Sequence, residues 1–217
     1  MSRTGAWIAR TLLVFLGATR ALAGTLSVQA SLADHAPFAG AVVTVRGEAG
    51  HAPAAPISTI LDQINLTFVP DIIVVPVGST VEFPNSDSVS HQIYSFSPAK
   101  RFQLPLYHGK PYPPVHFDQA GVVTLGCNIH DRMVGYIVVT DAAYFGRTDA
   151  GGNWSVTNVP RGTYHVSLWH PLLRDSVASL EREVSITGDE SATSTVQLAQ
   201  PLRPAPLQAT ARSKDAY

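Results

Sequence analysis

The run Gly126-Cys127-Asn128-Ile129-His130-Asp131-Arg132-Met133-Val134-Gly135 holds the only cysteine of the chain, with a histidine three residues on and a methionine three beyond that. With 8 histidines and 2 methionines in 217 residues, chance sets both at those offsets from a given cysteine about 3 times in 10,000. A single buried cysteine is ordinarily a small hydrophobe and a single methionine core filler; the joint spacing argues that here they are ligands. A thiolate, an imidazole and a thioether are soft and borderline donors that suit copper.

Working outward, a site of two histidines, one cysteine and a weak axial methionine needs one more imidazole. Val81-Glu82-Phe83-Pro84-Asn85 reads as a strand entering a polar loop that delivers Ser90-His91-Gln92-Ile93, so His91 is the candidate. Strands are expected on both sides of the ligand run, over Val122–Leu125 and Tyr136–Val139.

Taken together, Gly78-Ser79-Thr80-Val81-Glu82-Phe83-Pro84-Asn85, His91, Phe117-Asp118-Gln119-Ala120-Gly121, Cys127-x-x-His130-x-x-Met133 and Gly135-Tyr136-Ile137-Val138-Val139 resemble the cupredoxins, with the short ligand-loop spacing of amicyanin. The resemblance covers roughly Ile57 to Thr140. It implies a Greek-key β-sandwich with the metal at one end, and one type 1 copper at His91, Cys127, His130 and Met133. It also implies that Asn85 steadies the thiolate loop from behind the ligands.

Composition agrees with a folded, non-nucleic-acid-binding protein: 45% hydrophobic, 14% charged, net charge −1. One cysteine permits no internal disulfide and no two-thiolate dinuclear copper centre. Arg3 and Arg10, the apolar run Leu12–Leu16 and Ala21-Leu22-Ala23 follow the order of a secretory signal peptide cleaved after Ala23. The apolar run is too short to span a bilayer. The expected location is the periplasm.

No segment after the leader has a helical period, so the expected class is all-β. Thr25–Leu32 and Ala41–Val45 read as strands, Glu48–Pro56 as a linker, and Pro98–Pro114 as a long irregular stretch containing His108. Ile64–Phe68 reads as one strand. After Asp141, Thr148-Asp149-Ala150-Gly151-Gly152, Asn158-Val159-Pro160-Arg161-Gly162 and Tyr164 resemble the carboxypeptidase regulatory-like domain, a small transthyretin-like sandwich. That module lacks its opening strands after Asp141, while two unclaimed strands of the right kind precede Ala49. The expected organisation is therefore a signal peptide at 1–23, a discontinuous sandwich from 24–50 and 141–200, a cupredoxin domain inserted at 56–140, and a disordered tail at 201–217. The rival is a serial order in which Leu26–Val45 joins the cupredoxin sheet.

The function expected is one-electron transport through His130, beside apolar Ile129, with no catalysis. The alternative is copper binding and delivery without a carrier role. The oxidases and nitrite reductases that share the fold need a further copper site, and the oxidases' His-x-His and His-Cys-His pairs are missing here. His108, His165 and His170 are read as structural or partner-contact residues. Chains joining these two textures resemble bacterial methylamine-utilisation or plastocyanin-like proteins, which implies a dehydrogenase or cytochrome partner docking near His130.

Overall fold

The computed structural model describes residues 23–48, 51–109 and 112–205. The expected leader lies outside them except for Ala23, and so do residues 206–217 of the expected tail. The chain is almost entirely strand: β1 (Ala23–Ser31), β2 (Val42–Gly47), β3 (Ser58–Ile60), β4 (Asp62–Ile64), β5 (Thr67–Val69), β6 (Ile72–Pro76), β7 (Ser79–Glu82), β8 (His91–Ser97), β9 (Lys100–Tyr107), β10 (Val115–Phe117), β11 (Gly121–Gly126) and β12 (Val134–Thr140). There follow β13 (Tyr144–Arg147), β14 (Asn153–Pro160), β15 (Gly162–Trp169), β16 (Arg182–Ile186) and β17 (Ser191–Gln197). A 3-10 turn over Val177–Leu180 is the one helical element among the described residues.

Two sandwiches result. In the first, the five-stranded sheet β6-β12-β11-β8-β9 and the three-stranded sheet β10-β7-β3 share one core, built from Val75, Val81, Ile93, Phe117, Leu125 and Ile137. In the second, β14-β1-β17 and β13-β2-β15-β16 enclose Leu26, Val28, Val43, Tyr164, Val166 and Val196. β1 shows why it belongs there: Leu26, Val28 and Ala30 are buried and alternate with more accessible Thr25, Ser27 and Gln29, the period of a strand with one face in a core. Its partners are β14 and β17, and those of β2 are β13 and β15, so strands from before and after the central segment pair with each other.

β12 is hydrophobic on both faces, and residues 42–45 of β2 are buried on both. Val43 and Val45 face the second core, and Ile137 and Val139 the first. The reverse sides, through Val42 and Val138, meet with Ile72, Tyr136 and Trp169 in a third apolar cluster that joins the sandwiches. Arg147 ties the same seam, donating to the Gly40 and Ile72 carbonyls and pairing with Asp71 at 3.3 Å.

Three local expectations are corrected. Pro98–Pro114 is not irregular throughout, because Lys100–Tyr107 forms β9. Pro105 is tolerated since β9 is the sheet edge, and the extra residue between the His91–Tyr107 and Ile93–Leu104 pairs is taken up as a bulge. Ile64–Phe68 is not one strand but a hairpin turning at Asn65 and Leu66, which have φ of 53° and 60°. The tail is not free from residue 201: Leu202 packs against the second core and the Arg203 N–H donates to the Leu172 carbonyl at 2.8 Å.

Candidate metal centre

β11 and β12 pair as far as Gly126 and Val134, so the residues between them form a closed loop at one end of the first sandwich. Two glycines let this loop sit against aromatic rings. A Cβ on Gly126 would lie 2.7 Å from the Tyr94 ring, and one on Gly135 would lie 2.9 Å from the Phe68 side chain. Cys127 and Met133, at the loop's two ends, point into the core and are 3% and 1% exposed. The Met133 N–H donates to the His130 carbonyl at 2.9 Å, which tightens the loop and leaves His130 at its partly exposed tip.

His91 opens β8 and is fully buried. Its Nδ1 lies 3.1 Å from His130 Nδ1 and 3.8 Å from Cys127 Sγ, and the third side of the triangle, Cys127 Sγ to His130 Nδ1, is 3.6 Å. A first-row ion with bonds of about 2.0 Å to nitrogen and 2.3 Å to sulfur holds such donors about 3.3–3.7 Å apart. The triangle fits one metal ion. Met133 adds a buried thioether from the same loop.

The far side of His91 explains its orientation. Nε2 is 3.1 Å from Asp87 Oδ2, which also accepts the Leu66 N–H at 2.7 Å, while Oδ1 accepts the Ser88 N–H at 2.9 Å. Burial works against the charged carboxylate, but the Leu66 N–H, His91 and the Ser88 N–H outweigh it and hold Asp87 below the usual carboxylate range. An ionised Asp87 fixes the His91 proton on Nε2, and Nδ1 is left with its lone pair facing the cysteine. The left-handed turn at Leu66 supplies the donor that makes this possible.

Burial lowers the His130 pKa, and the neighbouring His91 lowers it further against a smaller opposing effect of Asp87. His130 is therefore a neutral imidazole at pH 7. That is the form a metal needs.

Asn85 is buried near the site, but its bonds run to the His91 side and not to the thiolate loop. Its Nδ2 donates to the Val89 and Tyr107 carbonyls, both at 2.9 Å, and its Oδ1 accepts the Asp87 N–H at 3.0 Å. It folds the loop that presents Asp87 and His91. Tyr107, across from His91, donates its hydroxyl to the Phe83 carbonyl, and burial pushes its pKa up to about 12.

The structure thus brings together His91, Cys127 and His130 as the one cluster of its kind among the described residues. His108 and His116 are exposed outside it, and His165 faces Glu181 at 3.5 Å in the other sandwich. Asp87 lies in the stretch that reads in the sequence only as a polar loop leading to His91. A carboxylate four residues before a candidate ligand was the available signal.

No family model and no curated protein matches the chain. Among solved structures, a purple cupredoxin from Nitrosopumilus maritimus is 28% identical over 38% of this chain and 99% of its own, with a TM-score of 0.34. A copper-containing nitrite reductase from Thermus scotoductus is 26% identical over 43% of this chain and 26% of its own, with a TM-score of 0.37. A reduced Cu(I) amicyanin variant is 21% identical over 45% of this chain and 98% of its own, with a TM-score of 0.35.

Proposed function

We propose that this protein is a type 1 copper protein that carries single electrons between redox partners outside the cytoplasm, and that it is not an enzyme. The observation that carries the reading is the triangle of His91 Nδ1, Cys127 Sγ and His130 Nδ1, with sides of 3.1, 3.6 and 3.8 Å. Met133 completes the donor set from the same loop. Copper bound there supplies one reversible Cu(II)/Cu(I) couple, and a donor set of this softness accommodates both states.

The chain's own residues do the rest. Cys127 and Met133 are anchored in the hydrophobic core, and His91 is clamped by Asp87, so three of the four donors have little freedom to move. His130 alone reaches the surface, beside Ile129, which is 51% exposed. A redox protein such as a dehydrogenase or cytochrome is proposed to dock there. The signal peptide and the periplasmic location belong to the same proposal; no helix among the described residues is long and apolar enough to cross a membrane.

Copper-loaded protein is expected to show intense visible absorption from thiolate charge transfer, and Cys127→Ser is expected to abolish it. A colourless Cu(II) complex, or colour that survives the substitution, overturns the reading. A coloured protein whose copper cannot be cycled by a mild reductant and oxidant supports delivery instead of electron transport.

A further inference from the structure

The seam between the sandwiches opens, next to the ligand loop, into a cleft of about 250 Å³. The first sandwich lines it with Phe68, Asp71, Arg132 and Tyr136, and the second with His170 and Leu172. Its volume is below the ~300–1,000 Å³ usual for drug-sized ligands, so it suits a small molecule.

The polar groups have a definite sign. Asp71, the acidic side chain of the lining, is paired with Arg147 at 3.3 Å. Arg132 makes no ion pair among the described residues, so its guanidinium is the unpaired charge of the lining. His170 Nδ1 accepts the Leu172 N–H at 3.3 Å, so the ring's proton is on Nε2 and remains available as a donor. Burial and the nearby Arg147 lower the His170 pKa and keep the ring neutral. The Tyr136 hydroxyl has no protein partner among the described residues and adds another donor.

The aromatic rings of the lining are packed against neighbours. Tyr136 packs edge-on against Trp169 with ring centroids 5.6 Å apart, and His170 against Phe38 at 5.4 Å. Donors with a surplus positive charge, set among aromatic and aliphatic walls, describe a site for an anion with an apolar body. A guanidinium is matched in shape to a carboxylate, which it can bind through two parallel N–H groups.

We propose that this cleft binds a small organic monocarboxylate, with its carboxylate on Arg132 and its apolar body between Phe68, Tyr136 and Leu172. Neither sandwich forms the site alone. The second sandwich thereby supplies one wall of a ligand site directly beside the loop that holds His130 and Met133.

Benzoate is a suitable probe, titrated into the metal-free full chain and followed by calorimetry and by tryptophan fluorescence, to which Trp169 contributes from behind Tyr136. Saturable binding of one benzoate per chain is expected. Arg132→Gln should weaken it about tenfold or more, since a charge-assisted bond is lost, while Arg132→Lys should retain part of the affinity. Leu172→Trp, which fills the cleft from the opposite wall, should block binding without touching the charge. Benzamide, of the same shape but uncharged, should bind no better than benzoate binds to Arg132→Gln. The proposal is overturned if no saturable binding is seen, if benzamide matches benzoate, or if neither Arg132→Gln nor Leu172→Trp weakens the interaction. Because the titration uses no metal, its outcome is independent of whether the protein holds copper.

Discussion

Replacing Asp87 by alanine should damage fold and metal site together. The side chain is 11% exposed and receives three donors: the Leu66 N–H at 2.7 Å, the Ser88 N–H at 2.9 Å and His91 Nε2 at 3.1 Å. Hydrogen bonds to a charged acceptor contribute about 1.5–3 kcal/mol each. Ser88 is at the surface, where water replaces the lost acceptor, whereas the His91 donor stays buried. Leu66 in addition loses the acceptor that helps hold it at φ 60°, a conformation costing a non-glycine residue about 1–2 kcal/mol. Two effective bonds give a destabilisation of about 3–6 kcal/mol for the metal-free protein, read from urea unfolding. Asp87→Asn keeps one acceptor oxygen and should cost less, about 1–3 kcal/mol. Copper affinity, measured by competition with a chelator, should fall about 10–100-fold in either variant, the usual consequence of removing the group that orients a ligating histidine. Ser88→Ala, which removes an exposed hydroxyl of the same loop and keeps the N–H that Asp87 accepts, is the control and should stay within about 0.5 kcal/mol. If Asp87→Ala unfolds at the wild-type urea concentration and binds copper as tightly, His91 is positioned by something other than this carboxylate and the reasoning fails.

His91→Ala should destroy the visible spectrum while His108→Ala and His116→Ala leave it intact, since both of the latter lie exposed outside the donor cluster; the reverse pattern on absorption spectra would show the wrong histidine has been chosen. Met133→Gln should keep copper and lower the reduction potential, measured by voltammetry, because the axial donor tunes the site without being required for it. Gly135→Ala places a methyl 2.9 Å from the Phe68 side chain, and such overpacking should cost about 1–3 kcal/mol in urea unfolding. A fragment from Ala54 to Asp141 should fold and bind copper, with polar replacements at Val74 and Val138 to cover the seam it exposes; failure to fold unless Leu26–Val45 is restored would favour a serial arrangement of the strands.

The donor triad from the ligand loop was readable in the chain because its identity is local: Cys127, His130 and Met133 are three apart, and a loop between two strands leaves them no way to separate. The all-β character was equally local, since Leu26-Ser27-Val28-Gln29-Ala30 and Tyr136-Ile137-Val138-Val139 state their faces by alternation or by continuous burial. β9 was harder to see because Pro105 normally interrupts a strand, and only its place at the sheet edge makes the missing N–H harmless. The turn at Asn65 and Leu66 was hidden for a related reason. A leucine is a poor left-handed residue, and it is tolerated there with its N–H held by a carboxylate 21 residues away.

Sequence by itself therefore determined which atoms are fit to bind a soft metal, the strand-rich class of the chain and the places where its texture changes. Tertiary structure decided that His91, and neither His108 nor His116, meets the ligand loop; that Asp87 stands behind it; that Asn85 braces the His91 side; and that β1 and β2 pair with strands beyond residue 140. The physical reason is the range of the interactions. Side-chain chemistry and strand alternation are properties of neighbours along the chain. The approach of His91 to Cys127 across 36 residues and the hydrogen bond of Ala41 to Thr148 across 107 depend on which apolar faces bury one another, and many pairings of similar strands satisfy the same local pattern.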